Sequence, residues 1–137
     1  MAMFEWRGWS IRPVVCYDLR FPVWLRNKSC EDASALEYDM LVVCANWPAS
    51  RSEAWKTLLR ARAIENICYV VAANRVGADG NGVAYSGDSA VINYKGKEMR
   101  SVRCGDLIVV NLNKKNLDRF RADWPFYLDS DRFELKM

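Results

Sequence analysis

Two short apolar runs, residues 39–45 (Asp-Met-Leu-Val-Val-Cys-Ala) and 67–73 (Ile-Cys-Tyr-Val-Val-Ala-Ala), bracket a stretch with helical spacing, and this arrangement constrains the fold most. Each run is short and almost continuously apolar, the mark of a strand buried on both faces. Between them Ala54, Trp55, Leu58, Leu59, Ala61 and Ile64 recur at helical spacing. Ser50 or Ser52 opens that helix, Glu53 stands in its first turn, and it runs to about Asn66. Residues 9–16 add a strand that enters the core and ends at Cys16. Pro13 marks an edge or a bulge in it. Residues 21–28 read as a short helix with Pro22 in its first turn, and 29–38 as a polar loop. Strand, helix, strand, helix, strand over 10–74 is α/β logic.

The pattern changes at Gly77. Gly77, Gly80 and Gly82 mark a loop, with ordinary turn chemistry at Asn81-Gly82. Residues 88–94 and 97–103 flank Lys95-Gly96 and read as a hairpin. A strand over 106–112 and a short basic helix over 113–122 follow, the helix stopping near Trp124-Pro125. No stretch has the character of a linker, so residues 1–137 read as belonging to a single domain.

Composition narrows the function. Apolar residues make up 51% and charged residues 27%, which is globular rather than disordered. The net charge of +3 is spread along the chain, so no nucleic-acid partner is expected. No apolar run reaches the ~18 residues of a membrane span. Residues 1–6 lack a basic segment followed by an apolar core, so no signal peptide is expected there. The five cysteines (16, 30, 44, 68 and 104) form no C-x-x-C pair, which points to reduced thiols in a cytosolic protein without a zinc site. Histidine is absent altogether. That excludes Cys–His and Ser–His catalysis and most metal sites, leaving carboxylates, lysine, cysteine or backbone groups to do any chemistry.

The ends of buried strands are where α/β proteins place reactive groups. Cys16, followed by Tyr17, Asp18 and Arg20, ends the first strand; Asn46 and Trp47 end the second; Asn74 and Arg75 end the third. If the three strands are adjacent, these residues converge on one pocket. Plainer readings stand beside this one. Cys16 can be a small core residue, as Cys44 and Cys68 read; Cys30 and Cys104 are incidental. Asp18 and Arg20 can form a surface ion pair, Trp47-Pro48 a packed turn, and Glu65 can face solvent.

At Cys16-Tyr17-Asp18-Leu19-Arg20-Phe21-Pro22 the chain resembles the nitrilase superfamily of carbon–nitrogen hydrolases. The likeness continues in the family's order through Asn46-Trp47-Pro48, Arg60-Ala61-Arg62-Ala63-Ile64-Glu65-Asn66, Asn74-Arg75-Val76-Gly77 and Tyr85-Ser86-Gly87-Asp88-Ser89. Phe4-Glu5-Trp6-Arg7-Gly8-Trp9 and Arg20-Phe21-Pro22-Val23-Trp24 are most similar to the bacterial omega-amidase branch, whose members hydrolyse the terminal amide of 2-oxo acids such as 2-oxoglutaramate.

The resemblance implies an α/β fold, part of an αββα sandwich, and a homo-oligomer acting on a small amide without metal or cofactor. It implies Cys16 as nucleophile, forming a thioester, and the Tyr17 backbone N–H in the oxyanion hole. Asn46 and Trp47 would wall the pocket; Arg20 and Arg75 would grip a substrate carboxylate or else pair with Asp18 or Glu65. In the family a glutamate base and an oxyanion-stabilising lysine precede the cysteine motif. Here no lysine precedes Cys16, and Glu5 stands too near the strand to serve. The chain therefore resembles the C-terminal half of such an enzyme, and weak activity is expected of it alone. The rival expectations are a carbamoylase or nitrilase branch, a non-catalytic assembly partner, and a redox-sensing thiol protein built on Cys16.

Overall fold

The computed structural model describes residues 2–29, 35–104 and 107–131. Cys30 and the end of the chain past 131 lie outside them. The core is a five-stranded sheet of order β1-β2-β3-β4-β7. Its strands are β1 (Phe4–Trp6), β2 (Trp9–Val15), β3 (Met40–Ala45), β4 (Tyr69–Asn74) and β7 (Ala90–Ile92). β2, β3 and β4 run parallel, while β1 and β7 are antiparallel to their neighbours. β1 pairs with β2 only at Trp9, Ser10 and Ile11. Pro13 therefore sits where β2 has lost its outer neighbour, the edge position a residue without an N–H tolerates.

Helix α2 (Ser52–Glu65) crosses from β3 to β4 and covers one face of the sheet. Its Trp55, Leu59 and Ala63 pack on Val14, Leu41, Val43, Val70, Ala72 and Ile92, all buried. A 3-10 turn at Ala49–Arg51 leads into it. The strand over 9–16 ends one residue early, and Cys16–Arg20 form another 3-10 turn before α1, a single turn at Pro22–Leu25.

The expectation that β3 and β4 are buried on both faces is corrected. Register aligns Pro13, Val42 and Val71 in one row of the second face, and Val15, Cys44 and Ala73 in the next. Val15 is 66% exposed, and Cys44 and Ala73 are exposed too. Among the described residues the far end of that face is the part that is covered, by α3 (Lys114–Asp123) and its neighbours, and Val42 and Val71 are half-buried. There Trp9, Tyr69, Tyr94 and Phe120 stack in sequence with centroids 5.8, 5.4 and 4.9 Å apart, over Leu36, Ile67 and Leu117. Cys44 is thus no core thiol. Cys68 is one, and burial pushes its pKa up to about 12.

The glycine-rich loop contains a hairpin, β5 (Val76–Ala78) with β6 (Ala84–Ser86). Asp79 builds its turn: one carboxylate oxygen accepts the Asn81 and Val83 N–H groups at 2.9 and 3.0 Å, the other the Tyr85 hydroxyl at 2.9 Å. The hairpin expected around Lys95-Gly96 is short, with one bridge between Ile92 and Glu98. Val102–Cys104 (β8) pairs instead with Leu107–Val109 (β9). The last helix starts where Asn113 caps it, its side chain accepting the Asn116 N–H at 3.0 Å.

Candidate active site

Parallel pairing of β2, β3 and β4 brings their carboxyl ends side by side, with Val15 opposite Cys44 and Ala45 opposite Asn74. Cys16, Asn46-Trp47 and Asn74-Arg75 therefore gather at one edge of the sheet, as their places at strand ends suggested. Cys16 and Asn46 form the wall between two spaces. One is a cavity of about 300 Å³ with Tyr17, Arg20, Trp47, Pro48 and Arg51 around it. The other is an open depression of about 500 Å³ leading onto Val15, Cys44, Ala73, Asn74 and Arg75. A larger space of about 550 Å³ lies elsewhere, between β1 and α3, lined by Glu5, Asp39, Lys114 and Arg121. Its two cations are already engaged, since Asp39 pairs with Arg121 at 2.7 Å and with Lys114 at 2.9 Å. It offers no thiol.

Cys16 has φ +40°, a left-handed conformation that strains a residue with a Cβ by ~1–2 kcal/mol. The surroundings hold it there. Asp18 accepts the Val15 N–H at 2.9 Å, and fully buried Leu19 pins the turn to the core. The Leu19 carbonyl accepts from the Arg62 Nε and Nη2 at 3.0 and 2.7 Å. Arg62 in turn pairs with Glu65 at 2.8 Å, so Glu65 is a structural partner and not a bare solvent-facing residue. A sharp turn of this kind lifts the side chain off the end of the strand, and the thiol is half-buried at the cavity mouth.

Trp47 is buried and serves both core and site. Its ring packs on Trp55 at 5.6 Å, and its Nε1 donates to the Arg51 carbonyl at 2.8 Å. The Arg20 guanidinium lies over the same ring at 4.8 Å. Arg75 is directed differently: it donates to the Ala78 carbonyl at 3.0 Å and lies over Tyr85 at 4.9 Å. Neither arginine pairs with Asp18 or Glu65.

Asn74 is the residue whose role the sequence did not disclose. Its Oδ1 accepts the Trp47 N–H at 2.7 Å, and its Nδ2 donates to the carbonyls of Trp47 and Gly87 at 3.1 and 2.6 Å. It fastens the Asn46-Trp47 loop to the 85–89 loop. Asp88 latches that second loop to α2, accepting from Ser86 and from Ser52 at 2.8 Å and pairing with Lys56 at 3.1 Å. The Ser86 bond, then those of Ser52 and Lys56, hold its carboxyl below the usual range. The signal for Asn74 is its place at the end of an apolar strand, which marks proximity but not partners.

Replacing Asn74 with alanine is expected to cost about 2 kcal/mol in urea unfolding, because three backbone groups lose their partner. Isosteric Asn74→Asp should do no better, since a carboxylate would face two carbonyls. A wild-type midpoint for Asn74→Asp would show that the clamp is unimportant.

Comparison with known proteins agrees with this arrangement. The model of the carbon–nitrogen hydrolase family matches residues 1–112. The chain is 48% identical over 136 residues to the omega-amidase YafV of Escherichia coli, covering 98% of this chain and 50% of that protein. The structure of XC1258 from Xanthomonas campestris, a CN-hydrolase superfamily protein with an arsenic adduct in its active site, superposes with a TM-score of 0.91 at 49% identity. The match covers 98% of this chain and 52% of that one. An amidase of Nesterenkonia, captured after acrylamide had added to its active-site cysteine, is 29% identical with a TM-score of 0.65, over 89% of this chain and 46% of the other. The chain thus spans about half the length of the relatives it matches. With its motifs in order, its strand ends converging and its backbone superposing on solved members, the chain belongs to the carbon–nitrogen hydrolase family.

Proposed function

We propose that this chain carries the nucleophile half of an amidase that cleaves the amide of a small carboxylic or 2-oxo acid, as an omega-amidase does. Cys16 attacks the amide carbon, ammonia leaves, and the thioester so formed is hydrolysed by water to the acid and the free thiol. The Tyr17 N–H, near the start of its 3-10 turn and ahead of any intrahelical acceptor, is suited to the developing oxyanion. Trp47 and Asn46 wall the substrate, Arg20 takes its carboxylate, and Arg75 stands at the rim. The observation that carries this reading is Cys16 itself: a thiol in a strained turn at the carboxyl end of a parallel strand, opening on a walled cavity.

The base and the oxyanion lysine are proposed to come from a companion segment. Among the described residues no carboxylate and no lysine lines the Cys16 cavity, and Glu5 borders the far space instead. The exposed row Val15–Cys44–Ala73, with the half-covered row Pro13–Val42–Val71 beside it, suits the second sheet of an αββα sandwich. Among the described residues no helix is long and apolar enough to cross a membrane. The reading includes a cytoplasmic setting, in keeping with the free thiols of Cys16, Cys44, Cys68 and Cys104, and assembly as a homo-oligomer.

The test mixes this chain with a separately produced amino-terminal half of the E. coli relative. Ammonia release is then measured from 2-oxoglutaramate, an N-carbamoyl amino acid and a simple nitrile. Release from 2-oxoglutaramate is expected from the mixture. The chain alone should be slower by about 10⁴-fold, since base and oxyanion donor each contribute ~100-fold or more. Faster turnover of the carbamoyl compound or the nitrile would move the protein to another branch. No turnover of any of the three would overturn the amidase reading.

A further inference from the structure

We propose that Arg51, together with Arg20, forms the carboxylate-recognising wall of the Cys16 cavity, so that the site selects amides bearing a carboxylate at the end remote from the reacting carbon. The inference deepens the amidase reading and rests on it. Two arginines line this cavity and no acidic residue among the described residues does. Among the described residues the ion pairs engage Arg12, Lys56, Arg62, Lys114 and Arg121, and neither Arg20 nor Arg51. Asp18, the nearest carboxylate along the chain, is occupied by the Val15 N–H. Two like charges facing one small space repel each other, and an anion that enters relieves that repulsion while accepting charge-assisted hydrogen bonds.

One buried indole organises both groups. Trp47 donates its Nε1–H to the Arg51 carbonyl at 2.8 Å and offers its ring to the Arg20 guanidinium at 4.8 Å. The Arg51 N–H is itself tied to the Pro48 carbonyl at 3.0 Å. The Arg51 backbone is therefore fixed, while its exposed side chain, near enough to the Tyr85 hydroxyl to act on it, carries a guanidinium whose fork suits a carboxylate. Arg51 also directly precedes the fourteen-residue helix α2, whose amino-terminal partial charge acts in the same direction. The cavity, at about 300 Å³, is at the small end of ligand sites, which suits a short-chain acid amide. Arg75, with its guanidinium engaged by Ala78 and Tyr85 on the open side, is left out of this wall.

The test alkylates the chain with iodoacetate and with iodoacetamide, reading the rate at each cysteine by peptide mass spectrometry. Both reagents join the same CH₂ carbon to sulfur and release iodide; they differ in the charge at the far end. Exposed Cys104 is the internal reference. The iodoacetate-to-iodoacetamide ratio at Cys16 is expected to exceed that at Cys104 by about tenfold at low salt and to shrink as salt rises. Arg51→Gln and Arg20→Gln should each bring it towards the Cys104 value. Arg51→Lys should keep part of the preference and Arg75→Gln all of it. A Cys16 ratio equal to that of Cys104, or one unmoved by Arg51→Gln in a folded variant, overturns the proposal. Alkylation needs no catalysis, so the two readings fail separately. Preference without ammonia release sinks the amidase reading alone, and ammonia release without preference sinks this one alone.

Discussion

Cys16→Ala, in the chain reconstituted with the amino-terminal half of its E. coli relative, is expected to lower ammonia release from 2-oxoglutaramate by roughly 10⁴-fold or more, the scale on which covalent enzymes lose rate with their nucleophile. The fold should be unaffected, because the thiol is only half-buried and donates no hydrogen bond that the core depends on. A second variant separates chemistry from strain. Cys16 stands at φ +40°, where alanine is as strained as cysteine and glycine is not. Cys16→Gly should therefore be equally inactive yet unfold later in urea than Cys16→Ala, by about 1 kcal/mol. Inactivity with that gain marks a position where backbone strain is kept because the side chain is needed. Retained activity in either variant would remove Cys16 from the mechanism.

Arg62→Met is expected to destabilise the chain by about 3 kcal/mol and to slow alkylation at Cys16 as well. The residue is 3% exposed, and its guanidinium holds the Leu19 carbonyl twice and Glu65 once. Methionine fills comparable volume but leaves that carbonyl buried without a donor and Glu65 without its cation. Lysine keeps the charge but, as a single point donor, cannot fork onto Leu19 while also reaching Glu65, so Arg62→Lys should recover only part of the loss. The effect on Cys16 follows because Leu19 belongs to the same 3-10 turn. A midpoint within about 0.5 kcal/mol of wild type for Arg62→Met, the range of ordinary surface changes, would contradict this account.

Both predictions concern residues whose surroundings span long stretches of chain, and this is where reading the sequence reached its limit. The spacing of Ala54, Trp55, Leu58, Leu59, Ala61 and Ile64 marks α2 as a helix, but its buried side is Trp55, Leu59, Arg62 and Ala63 while Ile64 is exposed, so an arginine takes a place on the core face that the apolar pattern gave to Ile64. Which carbonyl it meets, 43 residues earlier, is not visible. Asn74 is likewise seen to end a strand, while its hold on Trp47 depends on how β3 and β4 are aligned. Arg51 went unnoticed because nothing local distinguishes it from any exposed residue at a helix start.

The sequence by itself determined the α/β class, the parallel core strands, the long helix and the motif residues at the strand ends. Those follow from side-chain periodicity and from breakers such as Pro48, which act over a few residues. Only the tertiary structure decided that Cys44 is exposed, that Cys16 stands in a left-handed turn, and that Arg20 and Arg51 share one indole. An apolar run states that a strand can be buried, but whether its second face is covered depends on whether another layer is present to cover it. Among the described residues α3 reaches as far as Met40 and Tyr69, and the row Val15–Cys44–Ala73 beside Cys16 stays exposed.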